Sequence, residues 1–266
     1  MTLEIGTSVI IPTFNRPQWA AELVTQLVAQ RGYGGGLEVL LVNDNGDPAV
    51  FARARAAVAG SSVELRCFDT GYEGFGAALA RNVGIAHARY IVSLFLDDDV
   101  MAPPGLVSRH QSTAEACLRL GRIDSLLATE TGDEVVEDRR NLLRGHDGLV
   151  DDNLFEAMGL LHGGHFSMPT PLARKLGGFD VEFLDEEEED TDFGARAIMA
   201  VKKLYILASA RVFHRGLDSY TLRERGLPGG TDLPRRVGER FMERKQIAVN
   251  GGEDYFRGER WQQYQR

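Results

Sequence analysis

Four short apolar runs separated by stretches of helical periodicity restrict the fold of this chain more than any other feature. They are Ser8–Ile11, Leu37–Val42, Val63–Phe68 and Tyr90–Leu96. The second is apolar almost throughout, as a strand covered on both faces must be. Between the first two runs, Ala20, Leu23, Val24, Leu27 and Val28 recur at the three-and-four spacing of one buried helix face. Asn15 is the expected cap of that helix, Pro17 stands in its first turn, and Gly32 closes it. Further helices are expected over Ala49–Ala59 and Ala77–Ala88, the latter preceded by the glycine-rich loop Gly71–Gly76. Strands alternating with helices predict an α/β fold with a mainly parallel central sheet flanked by helices. Ligands of such sheets bind beyond the carboxyl ends of the strands. Here those ends carry Pro12-Thr13-Phe14, Asn43-Asp44 and Asp97-Asp98-Asp99.

The second half is less regular. A helix is expected over Pro104–Leu120, a strand over Ile123–Thr129, and a loop insertion over Asp133–Asp152, which has no apolar periodicity. A strand and a turn are expected within Gly159–Phe183, a helix over Phe193–Val201, and a strand over Leu204–Leu207 with His214 beyond it. The 266 residues, 43% of them hydrophobic, suffice for one large core or two modest ones. Cys67 and Cys117 form no CxxC pair and read as small buried side chains. Glu4 stands where an export signal would want a basic residue, and the longest uncharged stretch, Ala157–Ala173, is broken by glycines and prolines. The expectation is a cytoplasmic chain without a transmembrane segment.

A net charge of -9 argues against a nucleic-acid partner. The charge is uneven, -12 over residues 1–214 and +3 over residues 215–266. Part of the acid lies in two clusters. Asp97-Asp98-Asp99 repel one another, and at the end of a buried strand a hard divalent cation offsets such repulsion while keeping ligand positions for substrate phosphates and water. The second cluster is Asp185-Glu186-Glu187-Glu188-Glu189-Asp190-Thr191-Asp192. Most of it reads as solvated acid at a helix N-terminus. Its ending, with carboxylates alternating at the mouth of a helix that bears Arg196, offers a fixed general base.

Five segments taken in order, TSVIIPTFNRP, LEVLLVNDNGD, ARNVGIAHARYIVSLFLDDDV, GGHFSMPTPLARKLGGFDVEF and EEDTDFGARA, resemble the successive motifs of family 2 glycosyltransferases over about Ser8–His214. The resemblance implies a GT-A fold, a single Rossmann-like domain. Residues 1–100 would be its nucleotide-sugar half, 101–214 its acceptor half, and 215–266 a basic C-terminal extension. It further implies an inverting, metal-dependent hexosyltransferase-like enzyme using a UDP, dTDP or GDP sugar, with a small-molecule, glycan or protein as acceptor.

Residue by residue, the resemblance places Pro12, Thr13 and Phe14 around the base and ribose. Asp44 would accept a hydrogen bond from the base, although Asn43 stands where the family more often has Asp. Arg81, followed by Asn82, would help hold the nucleotide or the carboxylates. Asp97 and Asp99 correspond to the DxD motif, Asp99 binding Mg²⁺ or Mn²⁺ and Asp97 lying nearer the ribose and sugar, with Asp98 on a hydroxyl. His214 would be the second metal ligand, Asp190 the catalytic base and Glu189 its orienting neighbour. Gly163, Gly164 and His165 would shape the acceptor pocket. A nucleotidyltransferase or a catalytically inactive nucleotide-binding scaffold is the alternative. The basic extension could serve as a lid, a homodimer contact or a peripheral membrane contact.

Overall fold

The computed structural model describes residues 2–111, 117–129, 132–137, 147–150, 161, 163–183, 189–201 and 203–216. The expected acidic residues 185–188 and the extension beyond residue 216 lie outside these. The N-terminal half alternates strictly: β1 (Glu4–Thr13), α1 (Pro17–Val28), β2 (Gly36–Asn43), α2 (Ala49–Val58), β3 (Glu64–Asp69), α3 (Ala77–His87) and β4 (Tyr90–Leu96). These strands lie in the order β3-β2-β1-β4 and every pairing among them is parallel. The sheet continues through β5 (Val100–Met101), β6 (Leu118–Thr129), β7 (Gly132–Glu137), β8 (Gly148–Val150), β9 (His165–Pro169) and β10 (Leu204–Arg215). Here β9 runs antiparallel to β4 and β6, while β10 runs parallel to β6. The shorter helices are α4 (Leu106–His110) and α5 (Thr170–Lys175), and α6 (Glu189–Val201) covers the far side.

The strand alternation sorts the core into two layers. Val9, Ile11, Val39, Leu41, Leu94 and Leu96 face α1, whose Ala20, Leu23, Val24 and Leu27 are fully buried. Ile10, Leu40 and Phe95 point to the opposite face. There Phe95 stacks on Phe166 at 4.4 Å and Phe179 on Phe193 at 4.2 Å. This aromatic cluster fastens α6 to the sheet, and removing one such ring costs about 3–5 kcal/mol. The carboxylate at the start of α6 is thereby held against the end of β4.

Three expectations are corrected. The described helix ends at His110 and a strand already begins at Leu118, because Arg122 and Asp124 are tied together at 2.9 Å inside the sheet and do not mark a polar boundary. Within the expected loop 133–152, Gly132–Glu137 pairs with β6 and Gly148–Val150 with β10. Their strand character comes from backbone pairing at exposed positions and not from burial, so no apolar period announces it. Finally, Asn15 does not cap α1. It adopts φ 53° and its Oδ1 accepts from the Asp47 amide at 2.9 Å, joining the ends of β1 and β2.

Candidate active site

The carboxyl ends of β1, β2 and β4 and the start of α3 enclose a cleft of about 340 Å³. Its floor is the Asp97–Asp99 turn. The three carboxylates are separated by giving each its own partner. Asp97 accepts from Arg81 at 2.8 Å. Asp98 accepts from Thr13 Oγ1 at 2.6 Å and Arg16 at 3.1 Å. Asp99 Oδ2 accepts from Arg16 at 2.5 Å and lies 3.3 Å from His214 Nε2. Burial pushes Asp98 up to about 6, with Asp99 adding to the effect and Thr13 and Arg16 opposing it. Burial also raises Asp97 despite Arg81. Asp99 is the exception, since the burial effect is outweighed by His214 and Arg16 and its pKa falls below the usual range. His214, disfavoured as a cation by burial, is carried up to about 9 by Asp99.

The placement of His214 follows from register. β10 runs on to Arg215, so His214 belongs to the strand and does not follow it. It pairs with Val100, and the Arg215 amide donates to the Asp99 carbonyl at 2.9 Å. Its Nδ1 lies 3.1 Å from the Gly216 carbonyl, which leaves Nε2 toward Asp99. Asp99 Oδ1 is buried without a hydrogen-bond partner. A buried carboxylate oxygen left unpartnered beside an imidazole suits a divalent cation. Among the described residues no set of three His, Cys, Asp or Glu side chains is arranged to hold a metal by itself. Asp99 and His214 therefore fit an ion only if it took its remaining ligands from a bound molecule and water.

At the other end, Phe14 and Phe75 are 52% and 47% exposed and border a second hollow with Tyr72 and Asn45. Exposed rings facing a cavity make a stacking surface for a planar base. Asp44 is buried at the junction and accepts from Thr70 Oγ1 at 2.9 Å and from the Gly76 amide at 2.7 Å. It anchors the loop that carries Phe75. A Cβ on Gly76 would stand 2.4 Å from Asp44 Oδ1, so this close approach requires glycine. Pro12 and Thr13 line the cleft beside Phe14.

Arg81 connects this cleft to α6. It is 4% exposed, donates to Asp97 and to Glu189 at 2.5 Å, and lies over the Phe179 ring at 5.3 Å. Burial brings Glu189 up to about 7, Arg81 opposing and Asp190 assisting. The next residue, Asp190, is only partly buried, and its Oδ2 accepts from the Gly163 amide at 2.7 Å. A Cβ at Gly163 would meet Arg81 Nη2 at 2.4 Å, and one at Gly164 would meet Asp97 Oδ2 at 2.8 Å. The two glycines thus let the backbone pass between the acidic turn and the start of α6. Asp192 turns away, paired with Arg196 at 2.8 Å.

Two expected residues occupy other places. His165 is 1% exposed, with its Nε2 2.8 Å from His110 Nε2 and its Nδ1 3.1 Å from the Arg122 carbonyl. It is a core residue and not part of the wall of a pocket, because β9 alternation turns it inward where Gly163 and Gly164 stay near the surface acids. Asn82 holds the Phe179 backbone through both amide atoms, at 2.7 and 2.8 Å, and is structural. Sequence reading missed Arg16, Phe75 and Trp19. The repulsion within Asp97–Asp99 was a usable signal for Arg16, since any cation at a neighbouring strand end is a candidate to offset it.

Residues 8–128 match the model of the family described as Glycosyl transferase family 2. That segment, just under half of the chain, is a family 2 glycosyltransferase segment. No curated protein matches it in sequence. Among solved structures, residues 1–349 of S. aureus TarS superpose with a TM-score of 0.64 at 14% identity, over 98% of this chain and 69% of that one. TarS in complex with UDP gives 0.66 at 14%, over 98% and 70%. GalNAc-T7 with UDP, GalNAc and Mn²⁺ gives 0.63 at 15%, over 90% and 48%. These likenesses carry the GT-A fold. No described helix of this chain is long and apolar enough to cross a membrane.

Proposed function

We propose that this chain moves a sugar from a nucleoside-diphosphate sugar to an acceptor hydroxyl with inversion at the anomeric carbon. The observation that carries the reading is the order of groups from the cleft to the start of α6. The exposed rings of Phe14 and Phe75 stand at the base end, Asp97–Asp99 in the middle, and Asp190 is linked to Arg81 through the Gly163 backbone at the far end. Of the nucleotides considered, uridine is the first to test, because TarS and GalNAc-T7 were crystallised with UDP.

The division of labour follows from charge. Pro12, Thr13 and Phe14 position the base and ribose, and Asp44 receives an N–H from the base. Asp98 and Asp97 meet hydroxyls of ribose and sugar. Asp99 and His214 would hold Mg²⁺ or Mn²⁺, which when bound neutralises the charge that develops on the leaving diphosphate. Arg81 keeps Asp97 and Glu189 at fixed positions on either side of the reacting centre. Asp190 accepts the proton of the acceptor hydroxyl, a contribution of about 10²- to 10⁴-fold. Its Oδ2 accepts from the Gly163 amide, which fixes the orientation of the carboxylate. Residues 1–100 serve the donor and 101–214 the acceptor.

Calorimetry with UDP in the presence of Mn²⁺ and again in EDTA tests the donor site. Wild type binds only with the metal, and Asp99→Ala loses the metal-dependent part. Equal binding by Asp99→Ala with and without EDTA would reject the assignment.

A further inference from the structure

Among the described residues that line the cleft, Arg16 is the cation that the donor reading above does not use. Its guanidinium joins Asp98 Oδ1 at 3.1 Å and Asp99 Oδ2 at 2.5 Å, yet its side chain remains 47% exposed. It therefore stands on the solvent side of the carboxylates, unlike the buried Arg81. Its stem begins between Phe14, at the base pocket, and Pro17, at the start of α1, so it is rooted beside the path a nucleotide takes into the cleft. The guanidinium also lies 5.2 Å from the centre of the Trp19 ring, whose indole gives a cation a second resting surface.

Asp99 Oδ1 is open to a cation, but an ion on that carboxylate would stand a few ångströms from the guanidinium held by Oδ2 at 2.5 Å, and in a partly buried site two such positive centres repel. A donor diphosphate arrives with charges that a planar guanidinium binds in a bidentate manner. We propose that Arg16 is a tethered stand-in for the metal. It holds Asp98 and Asp99 while the cleft is empty, gives up Asp99 when the cation enters with the donor, and moves onto the diphosphate. The inference rests on the donor site proposed above. It adds to that site a reason for metal and nucleotide to bind together, because the ion alone must displace Arg16 with no phosphate to receive it.

The test is Mn²⁺ affinity measured by electron paramagnetic resonance, first with the metal alone and then with UDP, for wild type, Arg16→Gln and Arg16→Lys. A charge-assisted contact of this exposure corresponds to about tenfold in affinity. Arg16→Gln is expected to bind free Mn²⁺ about tenfold more tightly than wild type, and to show a UDP-induced gain in metal affinity reduced by at least that factor. Arg16→Lys, which keeps the charge, is expected to stay near wild type for the free metal. Unchanged free Mn²⁺ affinity in Arg16→Gln, with its thermal midpoint equal to wild type, overturns the exchange. If Arg16→Gln is unfolded, the Arg16→Lys data decide, and a tenfold gain in free-metal affinity there refutes the stand-in role. Failure of wild type to bind Mn²⁺ with UDP at all sinks the donor site itself and is a separate outcome.

Discussion

Replacing Arg81 by methionine keeps much of the length and apolar stem of the side chain while deleting the charge between Asp97 and Glu189. Two carboxylates lose their partner. Asp97 has a side chain 32% exposed and can be rehydrated, so it contributes little to the cost. Glu189 has a side chain 7% exposed and carries most of it. Stranding one buried carboxylate costs about 3–5 kcal/mol. For a chain of this size that corresponds to a fall in Tm of roughly 10 °C. The penalty depends on pH in a known sense. Burial already raises Glu189 above its ordinary value, and without Arg81 it rises further, so the folded variant is penalised where Glu189 would be ionised and relieved as pH falls and the carboxyl takes up its proton. Urea unfolding of wild type and Arg81→Met at pH 8.5 and pH 6 measures both parts, with the larger deficit expected at pH 8.5. Adding Glu189→Gln to Arg81→Met should recover more than half of it. A deficit below about 1 kcal/mol, or one independent of pH, would refute the buried bridge.

Gly76→Ala is expected to weaken UDP binding in the presence of Mn²⁺ about tenfold, and to cost about 1–3 kcal/mol of stability, because its methyl group would enter the Asp44 carboxylate; calorimetry and urea unfolding read the two effects, and unchanged affinity would disconnect Asp44 from the base pocket. Wild-type stability should decline as pH rises in two steps. Glu189, raised from 4.5 to about 7 in the fold, loses its contribution between those values, and His214, raised from 6.5 to about 9, loses its contribution from neutral toward alkaline pH. His214→Ala should remove the part of the decline between about pH 6.5 and 9, and an unchanged profile would argue against the His214–Asp99 ion pair.

The parallel half of the fold was legible because β1, β2 and β4 are apolar on both faces and end abruptly in polar residues. The same polar ends placed Thr13, Asp44 and Asp97–Asp99 in one cleft. Legibility ended where strands are defined by pairing and not by burial. β7 shows Glu134, Val135 and Glu137 to solvent and is a strand only through its ladder with β6. The site was incompletely readable for a related reason. His165 was grouped with Gly163 and Gly164 by adjacency, but the two-residue period of β9 sends it into the core against His110. Arg16 was read as part of a helix start, and its role emerges only when β1 and β4 bring it to Asp98 and Asp99, more than eighty residues away in sequence.

The central claim is that Asp190 takes the acceptor proton while the donor is held elsewhere in the cleft. Asp190→Asn is nearly isosteric and still accepts from the Gly163 amide through its carbonyl oxygen, so the two functions can be separated in one variant. Release of UDP from a panel of UDP-sugars and Mn²⁺-dependent UDP affinity should be measured on the same preparation. A fall in turnover of about 10²- to 10⁴-fold with affinity within about twofold of wild type is predicted. Turnover equal to wild type, or affinity lost in step with turnover, would contradict it.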